Sequence, residues 1–141
     1  MKVYYLILAV MISPLVGMSQ VVEATESKEE VYTIVERMPE FPGGNKAMFE
    51  FLGNNIEYPP KAKAKNIQGK VYVNFTISKD GTIRDVKVLR KAHKLLDAEA
   101  VRVIKIMPDW IPGMQRGEMV SVSYNLPINF SLTGRKKKNK K

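Results

Sequence analysis

The sequence predicts an α+β domain: a three-stranded antiparallel sheet with helices packed on one face, plus an extra N-terminal strand. Three observations carry this. Residues 69–78 alternate between apolar and polar side chains, the mark of a strand with one buried face. Two windows, 45–54 and 96–107, set apolar residues at helical spacing. Residues 120–130 alternate again over a longer run. In chain order these read helix, strand, strand, helix, strand, which closes into one sheet with its helices on one side.

Residues 31–36 (VYTIVE) are β-branched and aromatic and read as the extra strand, stopped by residues 39–44 (PEFPGG). Ala47, Met48, Phe51 and Leu52 then form one face of a short amphipathic helix. Pro59 and Pro60 open a second helix running to Lys65, since proline is tolerated where the first helical N–H has no partner anyway. In the strand that follows, Val71, Val73, Phe75 and Ile77 share the inward face. Asp80 and Gly81 are the favoured pair for a tight hairpin, so residues 82–89 return antiparallel. Ile83 and Val86 fall on opposite parity, which predicts a bulge near Arg84 and Asp85. Asp97 is the expected N-cap of the long helix, with Glu99 in its first turn and Leu96, Ala100, Val103, Ile104 and Met107 as its apolar stripe. Arg102 and Lys105 face outward, and Pro108 ends the helix. In the last strand Val120, Val122, Tyr124, Leu126, Ile128 and Phe130 share a face, and Pro127, which cannot donate to a ladder, makes the strand an edge or turns it into one at that point.

A chain of 141 residues with 45% hydrophobic content supports one modest core. The absence of cysteine excludes disulfides, thiolate metal sites and cysteine-linked lipid anchors. The formal net charge of +9 suggests nucleic acid until it is located: six of those charges are Arg135, Lys136, Lys137, Lys138, Lys140 and Lys141, which leaves +3 for the rest. That terminal run reads as a solvated, disordered tail, with attraction to anionic headgroups or to an acidic partner as the functional alternative. At the other end, Lys2 precedes an apolar run that Pro14 interrupts, and Gly17 and Ser19 supply the small residues of a cleavage site before Gln20. The expected organisation is a signal peptide at 1–19 (or an uncleaved signal anchor), a flexible leader at 20–30, a folded domain at 31–133 and a basic tail at 134–141.

Residue chemistry argues against catalysis. His93 is the lone histidine and lies in a polar connection, and Asp80, Asp85, Asp97 and Glu99 each have a turn or helix-start explanation. One histidine, no cysteine and no calcium-type loop leave nothing to hold a metal, and no phosphate-cradling motif is present. Tyr58, Tyr72, Trp110 and Tyr124 read as packing residues, not as a base-stacking platform. What remains is the edge strand, whose unpaired backbone groups can accept an extended peptide.

Three strings, YPPKAKAKNIQGKVYVNFTISKDGTI (58–83), LLDAEAVRVIKIMPDWIPG (95–113) and VSVSYNLPINF (120–130), occur in the order and spacing of the TonB C-terminal domain family, which this chain resembles. The resemblance implies a periplasmic module, with no enzymatic activity and no cofactor, that clasps the N-terminal TonB box of a TonB-dependent outer-membrane transporter in support of energised transport. Carried over by position, Asn55, Tyr58 and Pro59 would lie beside the incoming peptide, and Val120, Val122, Tyr124, Leu126 and Asn129 would supply the edge. Gly69 and Trp110 fall in pieces that look like scaffold. Inner-membrane motor proteins are further partners if the N-terminal segment stays anchored. The family's membrane helix and long proline-rich linker have no counterpart here, and the leader at 20–30 spans about 35–40 Å at most. The resemblance therefore implies binding more directly than force transmission. A structural or assembly module that forms a weak homodimer through the same edge is the rival reading. Residues 31–36 could also occupy that edge and compete with an outside peptide.

Overall fold

The structure is a computed structural model that describes residue 17 and residues 29–133. The expected signal segment, most of the leader and the basic tail lie outside the described residues. Among the described residues, no helix is long and apolar enough to cross a membrane.

The chain runs β1 (Val31–Tyr32), α1 (Gly44–Asn55), α2 (Pro60–Ala64), β2 (Gly69–Ile77), β3 (Ile83–Arg90), α3 (Lys94–Lys105), β4 (Gly113–Gln115) and β5 (Glu118–Phe130). The sheet order is β1-β5-β2-β3, with β4 paired to β5. Strands β3, β2 and β5 are the expected antiparallel trio. Val71, Val73, Phe75 and Ile77 of β2 are fully buried against Leu96, Ala100, Val103 and Ile104 of α3 and Met48 and Leu52 of α1. This is the one-sided burial that the alternation in β2 requires. Trp110 is 3% exposed and touches Phe41, Phe75 and Tyr124, with ring centroids 5.6, 5.6 and 5.1 Å apart, so it closes one end of the core.

The β2–β3 hairpin forms as expected. The Asp80 carboxylate accepts from the Thr82 amide (3.0 Å) and hydroxyl (2.7 Å), and those bonds hold it below the usual carboxylate range. The bulge is also present. Asn74 pairs with Lys87 and Thr76 with Arg84, so β3 carries one extra residue, and Asp85 absorbs it at φ 54°.

Four expectations need correction. The long helix starts at Lys94, not after Asp97: the Nδ1 of His93 accepts from the Leu95 amide (3.1 Å) and caps it, while Asp97 lies in the first turn and accepts from the Ala92 amide (3.0 Å). The extra strand shrinks from residues 31–36 to Val31–Tyr32, because the chain then bends and continues as bridges from Arg37 to Met114 and from Glu40 to Ile111. The sheet gains β4, which folds back on β5 through Arg116 and Gly117, both at positive φ. Finally, β5 is not an edge along its whole length. β1 runs parallel to it, with Val31 opposite Ser121 and Tyr32 opposite Val122, on the side away from β2.

Candidate functional site: the outer edge of the last strand

β2 pairs with β5 from Ile77 opposite Val122 to Gly69 opposite Phe130. On the other side of β5, pairing with β1 stops at Val122. Among the described residues, the stretch beyond Val122 therefore has no strand on its outer side. Pro127 lies in this stretch, opposite Tyr72. A proline inside a ladder is tolerated where its nitrogen faces away from the partner strand. Residues of one strand alternate in the direction of their backbone groups, so Asn125 and Asn129 turn their N–H and C=O to the same outer side as Pro127. A visiting strand would meet two donors there, with a gap between them at Pro127.

The N-terminal part of this edge is occupied by the chain itself. Glu29 receives a hydrogen bond from the Ser121 hydroxyl and pairs with Arg84 at 2.7 Å. The Glu36 amide donates to the Gln115 side chain (2.9 Å), and Arg37 and Met114 exchange backbone bonds of 3.1 and 2.9 Å. The segment at 29–37 is thus a strap fixed at both ends.

At the C-terminal end of the edge lies a cleft of ≈ 290 Å³ between α1, the α1–α2 connection and β5. Leu52, Gly53, Ile56, Tyr58, Phe130 and Leu132 form most of its wall, and Lys63 and Asn129 add polar groups. The Tyr58 hydroxyl donates to the Ile67 carbonyl, and its ring meets Phe130 edge-on at 5.8 Å, so this wall is fixed from two directions. The connection carrying Tyr58 is tethered to α3. Glu99, 10% exposed, accepts from the Glu57 amide (2.8 Å) and from Arg102 (2.6 and 2.8 Å), and Arg102 also donates to the Asn55 carbonyl (2.7 Å). Burial alone would raise the Glu99 pKa, but the guanidinium and the amide outweigh it and hold the carboxyl below its usual range.

Of the residues expected from sequence, the structure brings Tyr58 and Asn129 together in the cleft. Pro59 lies just outside it, as the residue before α2. Asn55 turns its side chain back onto its own helix, donating to the Phe51 carbonyl (2.8 Å). Val122 and Leu126 are buried core side chains, and Tyr124, half-buried, packs against Phe75 and Trp110, so all three side chains belong to the core side of the strand. Val120 pairs with Gly113, and Val122 has a strand on each side, so both lie before the open stretch. Sequence reasoning missed Gly53, Ile56 and the Glu99–Arg102 tether. A glycine inside an amphipathic helical run was the available signal for the first, while an i,i+3 charge pair reads like any exposed helix pair. Among the described residues, no three acidic or histidine side chains converge as a metal site would need.

A profile of the Gram-negative bacterial TonB protein C-terminal family matches residues 54–132, which takes in the open edge and all of the cleft lining except Leu52 and Gly53. Protein TonB from two strains of Helicobacter pylori is 33% identical over 82 residues, covering 57% of this chain and 27% and 28% of those proteins. The chain thus aligns with about a quarter of the length of these curated relatives. Among solved structures, two solution structures of the Helicobacter pylori TonB C-terminal domain superpose with a TM-score of 0.48 each. Their identities are 27% and 28%, over 62% and 63% of this chain and 78% and 94% of theirs.

Proposed function

Since the chain belongs to the Gram-negative bacterial TonB protein C-terminal family, we propose that it takes the N-terminal box of a TonB-dependent outer-membrane transporter as an added strand along β5. The single observation behind this is the backbone of β5 beyond Val122, which among the described residues has no strand on the side away from β2 and ends at the Tyr58 cleft. In strand addition, main-chain bonds give affinity and side-chain pockets give selection, and both ingredients lie next to each other here. The chain acts in the periplasm, where box and domain can meet, and its contribution to energised transport is to grip the transporter. The reaction is association, with no bond made or broken.

A titration tests this. Box peptides from transporters of the same cell, added to the isotopically labelled protein, should shift the resonances of Ser123, Asn125, Asn129 and Tyr58 in a saturable way. Shifts confined to other surfaces would remove the proposal. Self-association that moves the same resonances in the absence of peptide would favour the dimeric assembly module, since an open edge can also pair with a second copy.

A further inference from the structure

Gly53 sits in α1, two residues before its end, and glycine is a poorer helix former than alanine. The usual reasons for such a glycine do not apply. Its φ is not positive, so the backbone does not require it. A Cβ built at this position would meet nothing within 4 Å beyond its chain neighbours and the backbone of its own helix, so packing does not require it either. Gly53 nonetheless lines the cleft at the end of β5. An exposed glycine at such a position permits a ligand to come close to the helix surface.

Resting on the strand-addition reading above, we infer that this cleft is the selectivity pocket of the edge. It takes one apolar side chain of the visiting strand, and Gly53 leaves the room over α1 by which that side chain enters. Three features of the site support this occupant. Both sides of the cleft carry apolar side chains, Leu52 and Ile56 from α1 and the α1–α2 connection and Phe130 and Leu132 from β5 and beyond, beside the polar Lys63, Asn129 and Ser131. The cleft adjoins Asn129, the last residue that turns its backbone groups outward, so a strand continuing along β5 arrives at its mouth. Lys63 is the charged residue of the lining and has no carboxylate partner among the described residues, so a neutral or acidic neighbour to the anchor is accepted and a basic one is disfavoured.

The test pairs a protein variant with a peptide scan. Gly53→Leu places a side chain in the cleft mouth where the backbone tolerates it, and its thermal midpoint should equal or exceed that of the parent because leucine is the better helix former. By fluorescence anisotropy, a labelled box peptide that binds the parent should bind Gly53→Leu at least about tenfold more weakly, the scale set by burying one apolar side chain, with Gly53→Ala in between. Replacing the apolar peptide residues one at a time by Asp should show a single position that loses as much with the parent and little further with Gly53→Leu. Equal affinity for the parent and Gly53→Leu, with the β5 resonances still shifting, would overturn the pocket and leave strand addition standing. A peptide that shifts no β5 resonance in the parent would overturn strand addition itself and the pocket with it.

Discussion

Two residues carry more of this fold than their size suggests. Gly81 has φ 89°, and a Cβ there would lie 2.1 Å from the Trp110 carbonyl oxygen, while its own carbonyl accepts from the Trp110 amide at 2.8 Å. The hairpin tip therefore sits directly on the backbone that holds the tryptophan in the core. Gly81→Ala should lower unfolding stability by about 2 kcal/mol or more, from left-handed strain and the displaced carbonyl together, and urea unfolding would measure it. Glu99 works at the other end, fixing the connection that bears Tyr58. Its folded pKa is lowered, so its contribution is complete above the ordinary value of 4.5 and is lost only as pH falls through the lower folded value. Glu99→Ala should cost about 1 kcal/mol at neutral pH, and the difference from the parent should vanish in acid below that window. In peptide titrations it should weaken binding through a loosened cleft, with the Tyr58 resonance broadened before any ligand is added.

The secondary structure was largely legible in the residues. The alternation in β2 and the Asp80–Gly81 turn were each read correctly, and the parity break between Ile83 and Val86 did mark a bulge, because local backbone preference and burial agree at those places. β4 was not legible: three residues are too few to show a period, and its turn at Arg116–Gly117 forms only with β5 alongside. The start of α3 was misplaced because a histidine caps it where an aspartate four residues later looked the better candidate. As for the site, Tyr58 and Asn129 were expected and do meet, but the cleft that joins them is assembled from segments far apart in sequence and could not be read from any one of them. The expected competition from residues 31–36 is also reduced, since β1 covers only Ser121 and Val122. Truncating residues 29–36 should therefore tighten the binding of a peptide long enough to reach Ser121 and leave a peptide limited to 123–129 unchanged. Equal tightening of both in a calorimetric titration would show that the strap acts beyond the positions it covers.

For the molecule as a whole, sheet, helices and strap converge on one arrangement. The core fills one face of the sheet, the strap closes the first part of the outer edge, and the second part of that edge runs into a cleft with apolar side chains on both sides. Most of the net charge belongs to the terminal run at 135–141, so the folded body has no strong field of its own and recognition falls to backbone geometry and apolar fit. The most direct measurement is amide hydrogen exchange with and without a transporter box peptide. Without peptide, the Asn125 and Asn129 amides should exchange fast while those of Leu126 and Ile128, bonded to β2, exchange slowly. With peptide, Asn125 and Asn129 should become protected by tenfold or more. If they are already protected in the free monomer, or stay unprotected while the peptide is bound, the edge is not where the partner docks.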